Sequence, residues 1–302
     1  MRHSLRGAFR VHIVTLVALS AVFVLAGCGS VSTDSNVLAA SVNGQGISLA
    51  TYESVLHFYE ASNALPASPG APSASQDWRT PQGRTNLATS EQGALSFLIN
   101  LELMRQQLKQ RHLTVSQSDI AKNRATLDGQ VKSAIAQHDS TLTAVINALT
   151  PDVRNLFAEQ QADEAVLSAH ISVPTVHLRA IITTSLSDAK TWESQVQHGA
   201  NFGQLAKAHS LDKTSGANGG EFGTVYLGQF GASFDSFVFS GSHSEYAIMP
   251  LGNQYALLEI TQRTDKPLSG LNNSSAEQTV FSAWLTETIL KSANVQRYVV
   301  TG

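Results

Sequence analysis

The amino-acid sequence predicts an α+β fold in two parts, a helical first part followed by a mixed unit of strands and helices. Three observations carry this. Apolar residues recur at steps of three and four between Ser90 and His112 and, more loosely, in the segments that follow. From Thr175 the texture changes to short β-branched runs divided by polar and glycine-rich stretches. Residues 28–302 are enough chain to bury two modest cores.

The first element is not part of either core. Arg2, Arg6 and Arg10 precede an apolar run, Ile13 to Val24, that is short for a membrane span and stops at Leu25-Ala26-Gly27-Cys28. This layout is that of a bacterial lipoprotein signal peptide, which predicts removal of residues 1–27 and lipid attachment at Cys28. An uncleaved anchor helix is the competing reading, and both export the chain. Cys28 is the single cysteine, so no internal disulfide can form, and no Cys/His spacing suggests a zinc site. Without the three arginines of the signal, 17 basic residues of the original 20 face 23 acidic ones, a net charge of −6. That balance argues against a nucleic-acid partner.

Residues 28–38 read as a tether, and its Ser30 to Asn36 stretch is polar and serine-rich. The helical domain is expected over 39–172. It opens with a strand and an Asn43-Gly44 turn, then a helix capped by Ser48 that carries Tyr52, Val55, Leu56 and Tyr59 on one side. Residues 62–89, with Pro66, Pro69, Pro72 and Pro81 among small residues, read as a flexible insertion without helix. The strongest helical pattern, Ser90 to His112, follows. Further helices are expected from Ser116 to about Gln137, from Ser140 or Thr141 to Leu149, and from Pro151 to about Ala169.

The mixed domain is expected over 175–265. Val176 to Thr183 reads as a strand, Ser187 to Gln197 and Phe202 to His209 as helices, and Ser210 to Gly223 as a loop. A short helix at Phe234 to Phe239 and strands at Glu245 to Met249 and Gln254 to Thr261 complete it. A last helix within 274–295 is expected to pack on the first domain.

The mixed part carries an ordered set of motifs: Asn201-Phe202-Gly203-Gln204-Leu205-Ala206, Ser210-Leu211-Asp212, Gly219-Gly220-Glu221-Phe222-Gly223, Gly228-Gln229-Phe230, Phe234 and Gln254 to Ile260. On these residues the stretch His177 to Arg263 resembles the parvulin-type peptidylprolyl isomerases. The helical part, through Val42-Asn43-Gly44, Ile47 and the Leu95 to Leu113 segment, is similar to the N-terminal region of PrsA- and SurA-type extracytoplasmic foldases. The 62–89 insertion has no counterpart in that pattern.

The resemblance implies an FKBP-like α+β domain joined to a helical chaperone domain, acting on unfolded or proline-containing exported polypeptides without cofactor or metal. It places Phe222, Phe230 and Phe234 around an apolar pocket for the proline ring and Asp212 in a polar network beside the amide. The family's two histidines fall at Ala180 and Ala256, so both imidazoles are missing. Each residue also has a plainer reading: the phenylalanines as core, Asp212 as a loop carboxylate bonded to backbone amides, Gly219-Gly220 as a turn. His177 sits on the opposite face of its strand from Ala180 by alternation, and His209 and His243 receive no role. Three functions remain open: an anchored isomerase, a non-catalytic chaperone, and a transporter receptor. The last would need repeating βαβ units, which the sequence lacks.

Overall fold

The structure is a computed structural model and describes residues 37–66, 74, 76–136, 142–239, 245–271 and 274–299. The expected signal peptide, Cys28 and His243 lie outside these residues. The chain divides into two compact units: described residues up to Leu167 together with those from Glu287 onward, and Ser168–Thr286.

The first unit begins with a hairpin, β1 (Leu38–Val42) and β2 (Gln45–Ser48). Its turn has Asn43 and Gly44 both at positive φ, 51° and 83°, the backbone an Asn-Gly pair adopts most readily. Ser48 then caps α1 (Leu49–Asn63), its hydroxyl accepting the Thr51 N–H at 3.1 Å. Tyr52, Val55, Phe58 and Tyr59 form the buried face of α1.

Next comes α2 (Pro81–Gln110), which starts nine residues before the expected Ser90 and takes in the end of the expected insertion. Two local features correct the sequence reading. Pro81 occupies the first turn, where its missing N–H costs nothing, and Thr80 accepts the Gly83 N–H at 3.0 Å. The proline therefore starts this helix. The unit continues with α3 (Gln117–Ala136), α4 (Thr143–Ala148) and α5 (Pro151–His170). Phe157 of α5 meets Phe58 and Phe97 with ring centroids 4.9 and 4.7 Å away, joining α1, α2 and α5 in one core.

The second unit is a four-stranded antiparallel sheet, order β4-β3-β6-β5. Its strands are β3 (Ser172–Thr183), β4 (Glu221–Tyr226), β5 (Tyr246–Leu251) and β6 (Gln254–Pro267). Between β3 and β4 lie α6 (Leu186–Gln197), α7 (Phe202–His209) and the one-turn α8 (Lys213–Ala217); α9 (Ala232–Val238) precedes β5. Both β3 and β6 run longer than their apolar cores predict, because Ser172–Thr175 pairs with Thr264–Pro267. Pro174 is tolerated there since it lies just past the last β3–β4 register pair, Thr175 with Tyr226, where its carbonyl still accepts the Leu227 N–H at 3.0 Å and only the reciprocal donor is lost.

The sheet buries both faces. Ile181 and Leu257 pack against Val196, Phe202 and Ala206 of α6 and α7. Leu178, Ala180, Ala256 and Leu258 face the other way, against Val238 and the partly buried Phe234 and Phe237 of α9. After a single 3₁₀ turn (Leu268–Gly270), α10 (Ser274–Ala283) runs into a π-helical segment, Trp284–Leu290. The chain then forms β7 (Val295–Arg297), an unexpected strand antiparallel to β1 that completes a β2-β1-β7 sheet.

Candidate functional site

A cavity of about 370 Å³ opens on the α9 face of the second sheet. Strand alternation builds its floor: Leu178, Ala180 and Ile182 are every second residue of β3, and Ala256 and Leu258 stand beside them on β6. Met249 and Leu251 of β5 close one side, and Phe230, Ser233 and Phe234 at the start of α9 close another. Phe222 completes the lining. The three phenylalanines form a chain of tilted rings, Phe222 to Phe230 at 5.7 Å and Phe230 to Phe234 at 5.2 Å. Phe222 and Phe230 are each 49% exposed, so the rim offers aromatic surface to solvent.

The position of Phe222 follows from a bulge. Leu178 pairs with Gly223 while Arg179 pairs with Glu221, which leaves Phe222 without an opposite residue. Gly223 has φ at 92°, a backbone a bulge of this kind uses. Upstream, the Gly219-Gly220 turn is fastened to β3 at two points. The Ala180 N–H donates to the Gly220 carbonyl at 2.7 Å, and Arg179 Nε donates to the Gly219 carbonyl at 3.1 Å. Arg179 itself is held by Glu259 at 2.6 Å and lies over the Phe202 ring, 5.0 Å from its centroid. An ion pair on one face of the sheet thus fixes the turn that delivers Phe222 to the other.

A second anchor sets Phe230. The buried carboxylate of Asp235 accepts the Gly228 N–H with both oxygens at 3.0 Å, and Gln229 Oε1 accepts the Tyr226 N–H at 3.1 Å. Gly228 also lies against α10, where an added Cβ would meet the Ala283 Cβ at 2.3 Å. The Gly-Gln-Phe motif is therefore a tightly constrained turn that ends at the cavity rim.

The residues named from sequence divide into two groups. Phe222, Phe230, Phe234, Ala180 and Ala256 all line the one cavity. The two alanines sit in its floor, 4% and 2% exposed, at the positions where the resemblance implies imidazoles. Asp212 is not among the lining residues. It caps α8, its carboxylate accepting the Ser215 hydroxyl at 2.5 Å and the Thr214 N–H at 3.0 Å. The hydrogen bond from Ser215, aided by those from backbone amides, holds its carboxyl below the usual carboxylate range. The loop before it is tied to the cavity wall, since Ile182 exchanges bonds with Ser210 Oγ and the Leu211 N–H.

His177 pairs with Glu221 at 2.7 Å on the face away from the cavity, and His209 stacks on Trp192 at 5.0 Å. Neither reaches the lining. Sequence reasoning missed Leu178 and Ile182, which period two around Ala180 could have found, and Met249 and Leu258, which the same rule finds on β5 and β6. Arg179, Glu259 and Asp235 carried no local signal. Among the described residues, no group of three or more His, Cys, Asp or Glu side chains could hold a metal ion.

Comparison with known proteins agrees with this layout. Residues 154–264 match the model of the PPIC-type PPIase domain, and residues 1–129 match that of the SurA-like N-terminal domain. The foldase protein PrsA of Caldanaerobacter subterraneus subsp. tengcongensis is 24% identical over 251 residues, 79% of each chain. The periplasmic chaperone PpiD of Haemophilus influenzae is 31% identical over 105 residues, which is 34% of this chain but only 17% of that protein. Among solved structures, PrsA from Bacillus cereus is 15% identical, covering 80% of this chain and 96% of that one, with a TM-score of 0.34. PrsA from Bacillus anthracis is 20% identical, covering 65% and 95%, with a TM-score of 0.30.

Proposed function

We propose that this chain, which joins a PPIC-type peptidylprolyl isomerase domain to a SurA-like N-terminal domain, is a lipid-anchored extracytoplasmic foldase whose second unit seats proline-containing segments of exported polypeptides. The observation that carries the reading is the convergence of Phe222, Phe230 and Phe234 with both alanine positions on one cavity. Rotation about an Xaa-Pro bond meets a barrier of about 18–20 kcal/mol because amide resonance is lost. A site accelerates it only by binding the twisted amide better than either planar form. An apolar cradle does part of this by holding the ring and withdrawing water from the amide.

The other part, a polar group aimed at the amide, is where this chain is poor. The side chains of Ala180 and Ala256 offer no donor, and among the described residues Ser233 supplies the single polar side chain of the lining. In this reading Asp212 acts as a positioning residue, through the loop it caps. Weak isomerisation with strong segment binding is the expected balance. The test is cis-to-trans exchange of a Phe-Pro peptide by NMR with the full chain. Exchange is expected to rise above background, to fall by about tenfold in Phe230→Ala through lost aromatic burial, and to fall less in Asp212→Ala. No acceleration, with suppression of client aggregation retained, would replace the isomerase by a purely binding chaperone.

The anchor is proposed from Leu25-Ala26-Gly27-Cys28. In cells fed labelled palmitate, the chain is expected to carry label and sediment with membranes, and Cys28→Ser to lose both. Label persisting in Cys28→Ser would remove the anchor from the reading.

A further inference from the structure

The second unit's cavity is larger than its expected ligand needs. A cavity of roughly 150 Å³ lined by aliphatic and aromatic side chains already binds benzene, and this one measures about 370 Å³. The excess volume has an identifiable source in the floor, where Ala180 and Ala256 end at Cβ. The rest of the lining gives that space a chemical character. Among the described residues it contains no charged side chain, and Phe222, Phe230 and Phe234 supply tilted ring faces and edges for another ring to join.

We propose that the floor over Ala180 and Ala256 is a second subsite, which takes an aromatic side chain adjacent in sequence to the bound proline. This rests on the proline-cradle reading above and names its substrate class: Phe-Pro, Trp-Pro or Tyr-Pro segments of unfolded chains. An acidic or phosphorylated residue in that place would lose its hydration without gaining a cation. The site thus exchanges the space of two imidazoles for selectivity toward aromatic neighbours.

The experiment compares affinities of the full chain for four peptides identical except at the paired positions, Phe-Pro, Ala-Pro, Glu-Pro and Phe-Ala, measured by calorimetry. Phe-Pro is expected to bind about tenfold or more tighter than Ala-Pro, the gain from burying much of a phenylalanine ring. Glu-Pro is expected to bind no better than Ala-Pro. Filling the floor with Ala180→His plus Ala256→His is expected to shrink the Phe-Pro to Ala-Pro ratio to about twofold or less, since the ring's place is then occupied. Should that chain not fold, Ala180→Val is a smaller filling that must reduce the same ratio.

Equal binding of Phe-Pro and Ala-Pro, or a ratio that survives either filling, would overturn the subsite while leaving the proline cradle intact. Phe-Ala binding as tightly as Phe-Pro would overturn the cradle and recast the cavity as a general aromatic site. Failure of all four peptides to bind would overturn both.

Discussion

Asp163 shows how much a single buried carboxyl can govern. It lies on α5, 3% exposed, and its Oδ2 has no hydrogen-bond partner among the described residues. Burial first, and the nearby Glu159 second, push its carboxyl up to about 7, against the opposing pull of Arg105. Arg105 is committed elsewhere, to Glu159 through two bonds at 2.6 and 2.8 Å. A folded-state value raised above the unfolded one gives stability that is full below the usual carboxylate range. It is lost as pH rises to about 7 and changes little beyond. Urea unfolding between pH 4 and 8 should therefore show a decline in the wild type that Asp163→Asn removes, at most about 1.4 kcal/mol per pH unit. Superimposable curves would refute the assignment. Nothing in the sequence marks Asp163, because its environment is built by α2 and by its own helix turn. The cavity phenylalanines were legible for the opposite reason: they sit in contiguous motifs whose turns are set locally by Gly219, Gly220 and Gly228.

At the level of elements, legibility follows how locally each is specified. Helices such as α1, with its Ser48 cap, and α7, read as Phe202 to His209, were visible in the sequence to within a residue or two, while the Asn201 cap of α7 emerged only with the structure. The strand β4 was not, because Gly223 and the Gly219-Gly220 turn mask a short run whose pairing with β3 supplies its stability. The α2 start was missed because Pro81 was read with the other prolines of the 62–89 insertion, and the extended ends of β3 and β6 because Ser172–Thr175 and Thr264–Pro267 carry little apolar alternation and are strands through their pairing. Pro81 suits a first turn, and Pro174 sits at the end of the β4 pairing, where its carbonyl still accepts the Leu227 N–H. The Gly219-Gly220 turn yields a sharp prediction. Gly220 has φ at 81°, and a Cβ there would lie 2.7 Å from the Ala180 carbonyl oxygen. Gly220→Ala should lower stability by about 2–4 kcal/mol, from left-handed strain plus overpacking. It should also raise the Phe-Pro dissociation constant, since this turn leads into Phe222. A variant as stable as the parent by thermal unfolding would mean that the backbone relaxes there freely.

For the whole molecule, the sequence conveyed the division into a helical and a mixed part, and the order of motifs along the second. It implied a return to the first part by a helix within 274–295, but carried no sign of the strand β7. β7 pairs Ala40 with Arg297 and Val42 with Val295, and Asn43 both donates to and accepts from the backbone of Asn294. Deleting residues 295–302 should therefore loosen the first unit without touching the second. Amide exchange in β1 and β2 is expected to quicken by about tenfold or more, as a marginal two-stranded hairpin replaces a three-stranded sheet. Unchanged protection of Ala40 and Val42 would rule this out.

The same return path has a bearing on synthesis. Domains generally mature in the order they emerge from the ribosome, yet here the earliest strand waits for one made more than two hundred and fifty positions later. The mixed unit, contiguous in the chain, can close while the opening hairpin is still incomplete. A polypeptide proposed to nurse others through folding would then itself leave the ribosome's tunnel with its leading module unfinished until the very last strand arrives.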